Sequence, residues 1–90
     1  MNKPREKFYQ IEWKSSAVKK AKNFPKKIKE KIINKVQYLA PHPIEGQPLK
    51  GNLKGLRKLR IEEYRIIYVI DEENKKVIVI KIGSRGDVYK

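Results

Sequence analysis

Residues 56–83, LRKLRIEEYRIIYVIDEENKKVIVIKIG, consist of three apolar runs parted by two short acidic connections. The runs are LRKLRI (56–61), YRIIYVID (64–71) and KVIVIKIG (76–83), rich in the β-branched and aromatic residues that suit strands. The connections, EE (62–63) and EENK (72–75), are of hairpin length, so the three strands form an antiparallel meander. In the middle strand Tyr64, Ile66, Tyr68 and Ile70 point to one face, and Arg65, Ile67 and Val69 to the other. A planar, permanently charged group therefore stands among apolar neighbours near the start of a strand. It either pairs locally, with Glu62, Glu63 or Asp87, or it serves an anion.

Working outward, KFYQIEW (7–13) reads as a first strand, and SSAVKKAKNF (15–24) as a helix that Ser15 or Ser16 caps. Pro25 restarts the chain into an amphipathic helix over 25–40, with Ile28, Ile32, Val36 and Leu39 as its core stripe, widened by Ile33. The segment PHPIEGQPLKGNLKG (41–55) carries three prolines and three glycines and no helix or strand period, so it reads as a long loop. The sum is one α+β domain spanning residues 1–90: a mostly antiparallel sheet with two N-terminal helices on one face, in the order β-α-α-β-β-β.

Composition narrows the chemistry. Of 90 residues, 23 are Lys or Arg and 10 are Asp or Glu, a formal charge of +13. Such a field favours a polyanionic partner, nucleic acid before an acidic protein, although a lysine-coated surface without functional meaning has the same composition. Cysteine is absent and His42 is the only histidine, which excludes thiolate metal sites, disulfides and histidine-cluster chemistry. No cofactor is expected. No stretch is long and apolar enough to span a bilayer, and the N-terminus lacks a signal-peptide core, so a cytoplasmic location is the expectation.

The kind of cation says more than the total. Lysines are spread along the chain, whereas four of the five arginines, 57, 60, 65 and 85, lie within residues 57–85. Arginine is needed where a planar fork must grip phosphate or carboxylate oxygens. Lys58 and Arg60 share one face of their strand, and Arg57 lies on the other with Leu59 and Ile61. The meander brings Lys58, Arg60, Arg65 and Arg85 to one region, where their mutual repulsion favours an anion. Arg57 reads as a surface or pairing residue at the margin of this region, and with Arg60 and Lys54, just upstream, it completes the set of candidate RNA-binding cations. Tyr89, beside a basic cleft, could stack on a nucleobase.

These residues resemble the RelE/ParE superfamily of toxins from toxin–antitoxin pairs. The resemblance rests on LKGNLKG (49–55), the R-x-x-x-YRIIY strand (60–68) and VIVIKIGSRGDVY (77–89), and it covers roughly residues 7–90. It implies the RelE-like fold and a toxin neutralised by a cognate antitoxin. The antitoxin would present an amphipathic helix to the exposed sides of the two helices or to the open sheet face. It further implies a ribosome-dependent, metal-independent endoribonuclease that cuts mRNA in the ribosomal A site by attack of the RNA 2′-hydroxyl on the adjacent phosphate. Arg65 and Arg85 match the family's arginines, Tyr89 its C-terminal tyrosine, and Lys58 and Arg60 fall near its basic pair. With no histidine placed for proton transfer, Lys58, its pKa lowered by neighbouring cations, is the candidate base. The chain departs from many relatives in having Arg57 in place of an aromatic residue, Ser84 in place of histidine, and Glu62–Glu63 in place of a glycine-containing turn. The alternatives are a ParE-like toxin of DNA gyrase and a non-enzymatic basic RNA-binding module.

Overall fold

The computed structural model describes residues 8–84. Five strands form one sheet: β1 (Gln10–Trp13), β2 (Gln47–Pro48), β3 (Leu56–Ile61), β4 (Tyr64–Asp71) and β5 (Lys76–Ser84), in the spatial order β1-β5-β4-β3-β2. Helices α1 (Ser15–Lys22) and α2 (Lys26–Tyr38) both lie between β1 and β2 in sequence. The meander is present as expected: β3 pairs with β4 and β4 with β5, both antiparallel. The first strand returns to the far side of β5 and runs parallel to it, with Gln10 opposite Lys76 and Trp13 opposite Val79.

The two helices cover one face of the sheet. Ala17 of α1 and Ile32 and Val36 of α2, with Leu39 just past its end, meet Leu59, Ile61, Ile66, Tyr68, Val77, Val79 and Ile82 in a single buried cluster. The helix period of 3.6 and the strand period of 2 both deliver apolar side chains to this layer, and its burial drives the fold. Ile28 only borders the core, and Ile33 is left 46% exposed, so the apolar stripe of α2 is narrower than its sequence suggests. At the hairpin end of the sheet the Phe24 ring packs against Tyr64, with centroids 4.6 Å apart.

Three local expectations are corrected. Ser15 and Ser16 lie inside the first turn of α1, whose N-cap is Lys14 with no side-chain cap bond. Pro25 is the N-cap of α2, in an extended conformation. The 41–55 segment is more ordered than its sequence shows, with helical single turns at Pro43–Glu45 and Gly51–Leu53, and β2 between them pairs with Arg57 and Lys58 of β3.

What orders this segment is a set of polar bonds from the sheet. The buried Tyr68 hydroxyl donates to the Pro43 carbonyl at 2.6 Å and accepts from the Gly46 N–H at 2.9 Å. The Arg57 guanidinium donates to the Gly46 carbonyl at 2.6 Å and, more weakly, to that of Ile44 at 3.4 Å. Gly46 is required by close approach: a Cβ there would come within 2.7 Å of the Lys58 carbonyl and of the Tyr68 hydroxyl. Among the described residues no helix is long and apolar enough to cross a membrane.

Candidate functional site

The second face of the sheet is the one the helices leave uncovered. The register sets out its side chains in rows. Arg60 of β3 stands opposite Arg65 of β4, which stands opposite Gly83 of β5. In the next row Lys58 stands opposite Ile67, which stands opposite Lys81. Facing residues in such ladders have Cβ atoms about 5 Å apart, so four cations share a patch a few side chains wide. Lys81 was missing from the sequence-based set. Its signal was present: it alternates with Gly83 on β5 and falls across from Ile67 once the meander is drawn.

Arg65 is the centre of this patch. It is 9% exposed, the one buried charged residue among those described, and its Nη1 is buried without a hydrogen-bond partner. A buried cationic nitrogen left without a partner costs the fold roughly 1–3 kcal/mol or more. The local ion pair weighed from the sequence is not formed with the turn carboxylates. Glu62 pairs instead with Lys31 of α2, and the other ion pair among the described residues, Lys76 with Glu12, lies at the β1 side of the sheet. Glu62 takes this position with a left-handed φ of 54° at the two-residue turn, where glycine is the unstrained choice.

The other candidates divide. Lys58 is partly buried and Arg60 exposed, both on the Arg65 face. Arg57 lies on the opposite face of β3, and its guanidinium is engaged with the Gly46 and Ile44 carbonyls, so its role is to hold the 41–48 segment. Lys54 precedes β3, at the end away from the β3–β4 turn where Arg60 and Arg65 sit, and the fold does not bring it to them. Arg85 and Tyr89 lie outside the described residues. No group of three or more His, Asp or Glu side chains gathers to hold a metal ion among the described residues. What the patch can do is bind an anion. Arg60 and Arg65 are directly facing like charges, a destabilising pair that a shared phosphate would relieve.

A small α+β domain with helices on one sheet face and a basic patch on the other, centred on a buried, unsatisfied arginine, is a class of protein with solved representatives. The chain is similar to the toxin–antitoxin complex RelBE2 from Mycobacterium tuberculosis, with a TM-score of 0.80, 26% identity, and coverage of 89% of this chain and 94% of that one. Two curated relatives from the same organism are Toxin RelE, 38% identical over 50 residues, and Toxin RelG, 36% identical over 45 residues. These stretches are 56% and 50% of this chain, and the chain spans about half the length of each relative, 50% and 52%. The sequence pattern of the ParE toxin of the type II toxin–antitoxin system, parDE, matches residues 11–89. The chain belongs to this ParE toxin family, within the RelE/ParE superfamily.

Proposed function

We propose that the protein is the toxin of a type II toxin–antitoxin pair and that it cleaves mRNA in the ribosomal A site. The observation that carries this reading is the buried, unpaired Nη1 of Arg65 on a face shared with Lys58, Arg60 and Lys81. A fold bears such a cost at a position reserved for a charged ligand, and the chemistry of a guanidinium fork selects phosphate.

In this reading the 2′-hydroxyl of one nucleotide attacks the adjacent phosphorus, its proton passing to Lys58. The P–O bond to the next nucleotide breaks, and that 5′-oxygen takes the proton back from Lys58 and leaves as a hydroxyl. The products are a 2′,3′-cyclic phosphate and a 5′-hydroxyl end. Arg65 stabilises the extra charge on the phosphorane oxygens, the largest kind of contribution a preorganised site makes to phosphoryl transfer. Arg60 and Lys81 hold flanking phosphates. Arg85, next in sequence after Ser84, supplies a second fork, and Tyr89 stacks on a base.

The partner is an antitoxin whose amphipathic helix lies in the apolar groove between β1 and the two helices. That groove, ≈540 Å³, is lined by Ile11, Trp13, Val18, Ala21, Ile32 and Ile33 and edged by Lys22 and Lys29. An apolar stripe with acidic flanks fits it. Similarity to a toxin solved with its antitoxin supports this partner class.

The test is purified protein with programmed ribosomes, mapping the position and chemistry of new mRNA 5′ ends beside a gyrase supercoiling assay. Cuts confined to the A site, lost in Arg65→Ala of unchanged circular dichroism, are expected. Blocked supercoiling without A-site cuts would establish the second reading, a gyrase toxin, which the ParE-type match over residues 11–89 favours.

A further inference from the structure

The α2 residues Lys31, Asn34, Lys35 and Tyr38 follow the 3, 4 and 7 spacing of one helical stripe, yet none is in the core. Together with Arg60 they line a cleft of ≈630 Å³ between α2 and β3. The cleft exists because β2 pairs only with Arg57 and Lys58, so β3 from Leu59 onward has no strand on that side among the described residues. Its volume is within the range of small-ligand sites, about 300–1,000 Å³.

The cleft combines what a nucleotide needs. Tyr38 is 48% exposed, and its ring stacks on His42 with centroids 4.4 Å apart and an interplanar angle of 29°. That contact fixes the ring and leaves the rest of it open for a base. Lys35 and Arg60 supply charge for a phosphate. Of the two carboxylates present, Glu62 is occupied by Lys31, and Glu45 is an acceptor for the amino group of a base. Arg60 borders both regions, since it lines this cleft and faces Arg65 across the β3–β4 ladder.

We infer that this cleft is a second nucleotide subsite, in which Tyr38 stacks on a base of single-stranded RNA neighbouring the phosphate held at Arg65. The inference rests on the reading of Arg65 as an RNA phosphate site. The subsite binds and positions, and it takes no part in bond cleavage. Aromatic–base stacking with a flanking cation is sequence-tolerant, so the subsite extends the grip on RNA rather than choosing a sequence.

The experiment is a fluorescence-anisotropy titration with a labelled single-stranded RNA of about eight nucleotides, 2′-O-methylated to prevent cleavage. Tyr38→Ala is expected to weaken binding about tenfold, and Tyr38→Trp to restore it. Lys35→Gln is expected to weaken binding severalfold and to reduce its salt dependence. On programmed ribosomes Tyr38→Ala should raise KM for mRNA while leaving kcat unchanged. Tyr38 is exposed, so matched melting curves will show the variants folded. Wild-type binding by both Tyr38→Ala and Lys35→Gln, with binding lost in Arg65→Ala, would overturn the subsite and leave the Arg65 reading intact. Wild-type binding by Arg65→Ala would overturn that reading, and the subsite with it.

Discussion

Arg65 is costly to the fold at the position where an anion would need it. The residue is nine-tenths buried, faces Arg60, and leaves Nη1 without a partner. Replacing it with an apolar side chain of similar length removes the unpaired charge and keeps the volume. Arg65→Met is therefore expected to stabilise the protein by roughly 1–3 kcal/mol, read as a rise in Tm in thermal melts, while abolishing RNA binding. A fall in Tm would show that the guanidinium is satisfied in the native state. Much of this residue's setting was legible in the sequence, because alternation in YRIIYVID assigns its face and the hairpin lengths assign its neighbours. The fate of the two glutamates before it was not. Glu62 turns to Lys31, which lies 31 positions away on α2, and only the packing of α2 over β3 brings that lysine within reach.

At the scale of elements, the 41–55 segment is where the sequence was least informative. Its order comes from partners far along the chain, the Tyr68 hydroxyl and the Arg57 guanidinium, and no periodicity encodes a bond of that kind. Tyr68→Phe leaves the Gly46 N–H and the Pro43 carbonyl without their partner, and a loss of about 1–3 kcal/mol is expected in denaturant titrations. Gly46→Ala should cost a similar amount, about 1–3 kcal/mol, through overpacking against the Lys58 carbonyl and Tyr68. Burial raises the Tyr68 phenol above its ordinary value of 10.0, against the smaller lowering effects of the Gly46 bond and the Arg57 charge. A pKa raised by folding favours the protonated form, so this contribution is complete below pH 10.0 and is lost as pH rises through the folded-state value. Wild-type protein should therefore lose Tm more steeply than Tyr68→Phe above that pH, and parallel Tm curves would count against the hydroxyl clasp.

At the scale of the whole molecule, charge and architecture play separate parts. The formal +13 is spread over the surface, but the register concentrates Lys58, Arg60, Arg65 and Lys81 on one face. For single-stranded RNA each neutralised phosphate contributes about −0.7 to the slope of log K against log salt, so a slope of roughly −3 is expected. Lys58→Gln should reduce its magnitude by about 0.7, whereas Lys19→Gln, on α1 and away from the patch, should leave it unchanged. Equal effects at both lysines would mean diffuse attraction rather than a site. Four of the sheet's five strands, its meander and the face taken by the helices could be read from strand and helix periods, whereas β2 could not. The side of β5 on which the first strand would settle could not, since hairpin logic governs only strands adjacent in sequence. That placement has a consequence for the order of events during synthesis. β5, the last strand of the described sheet to leave the ribosome, is the one that must seat between β1 and β4. Until it emerges, β1 has no strand to pair with, the row of Arg65 lacks Gly83, and the row of Ile67 lacks Lys81. The patch is thus completed only once β5 has been synthesised, so nascent chains still short of β5 do not carry the assembled face.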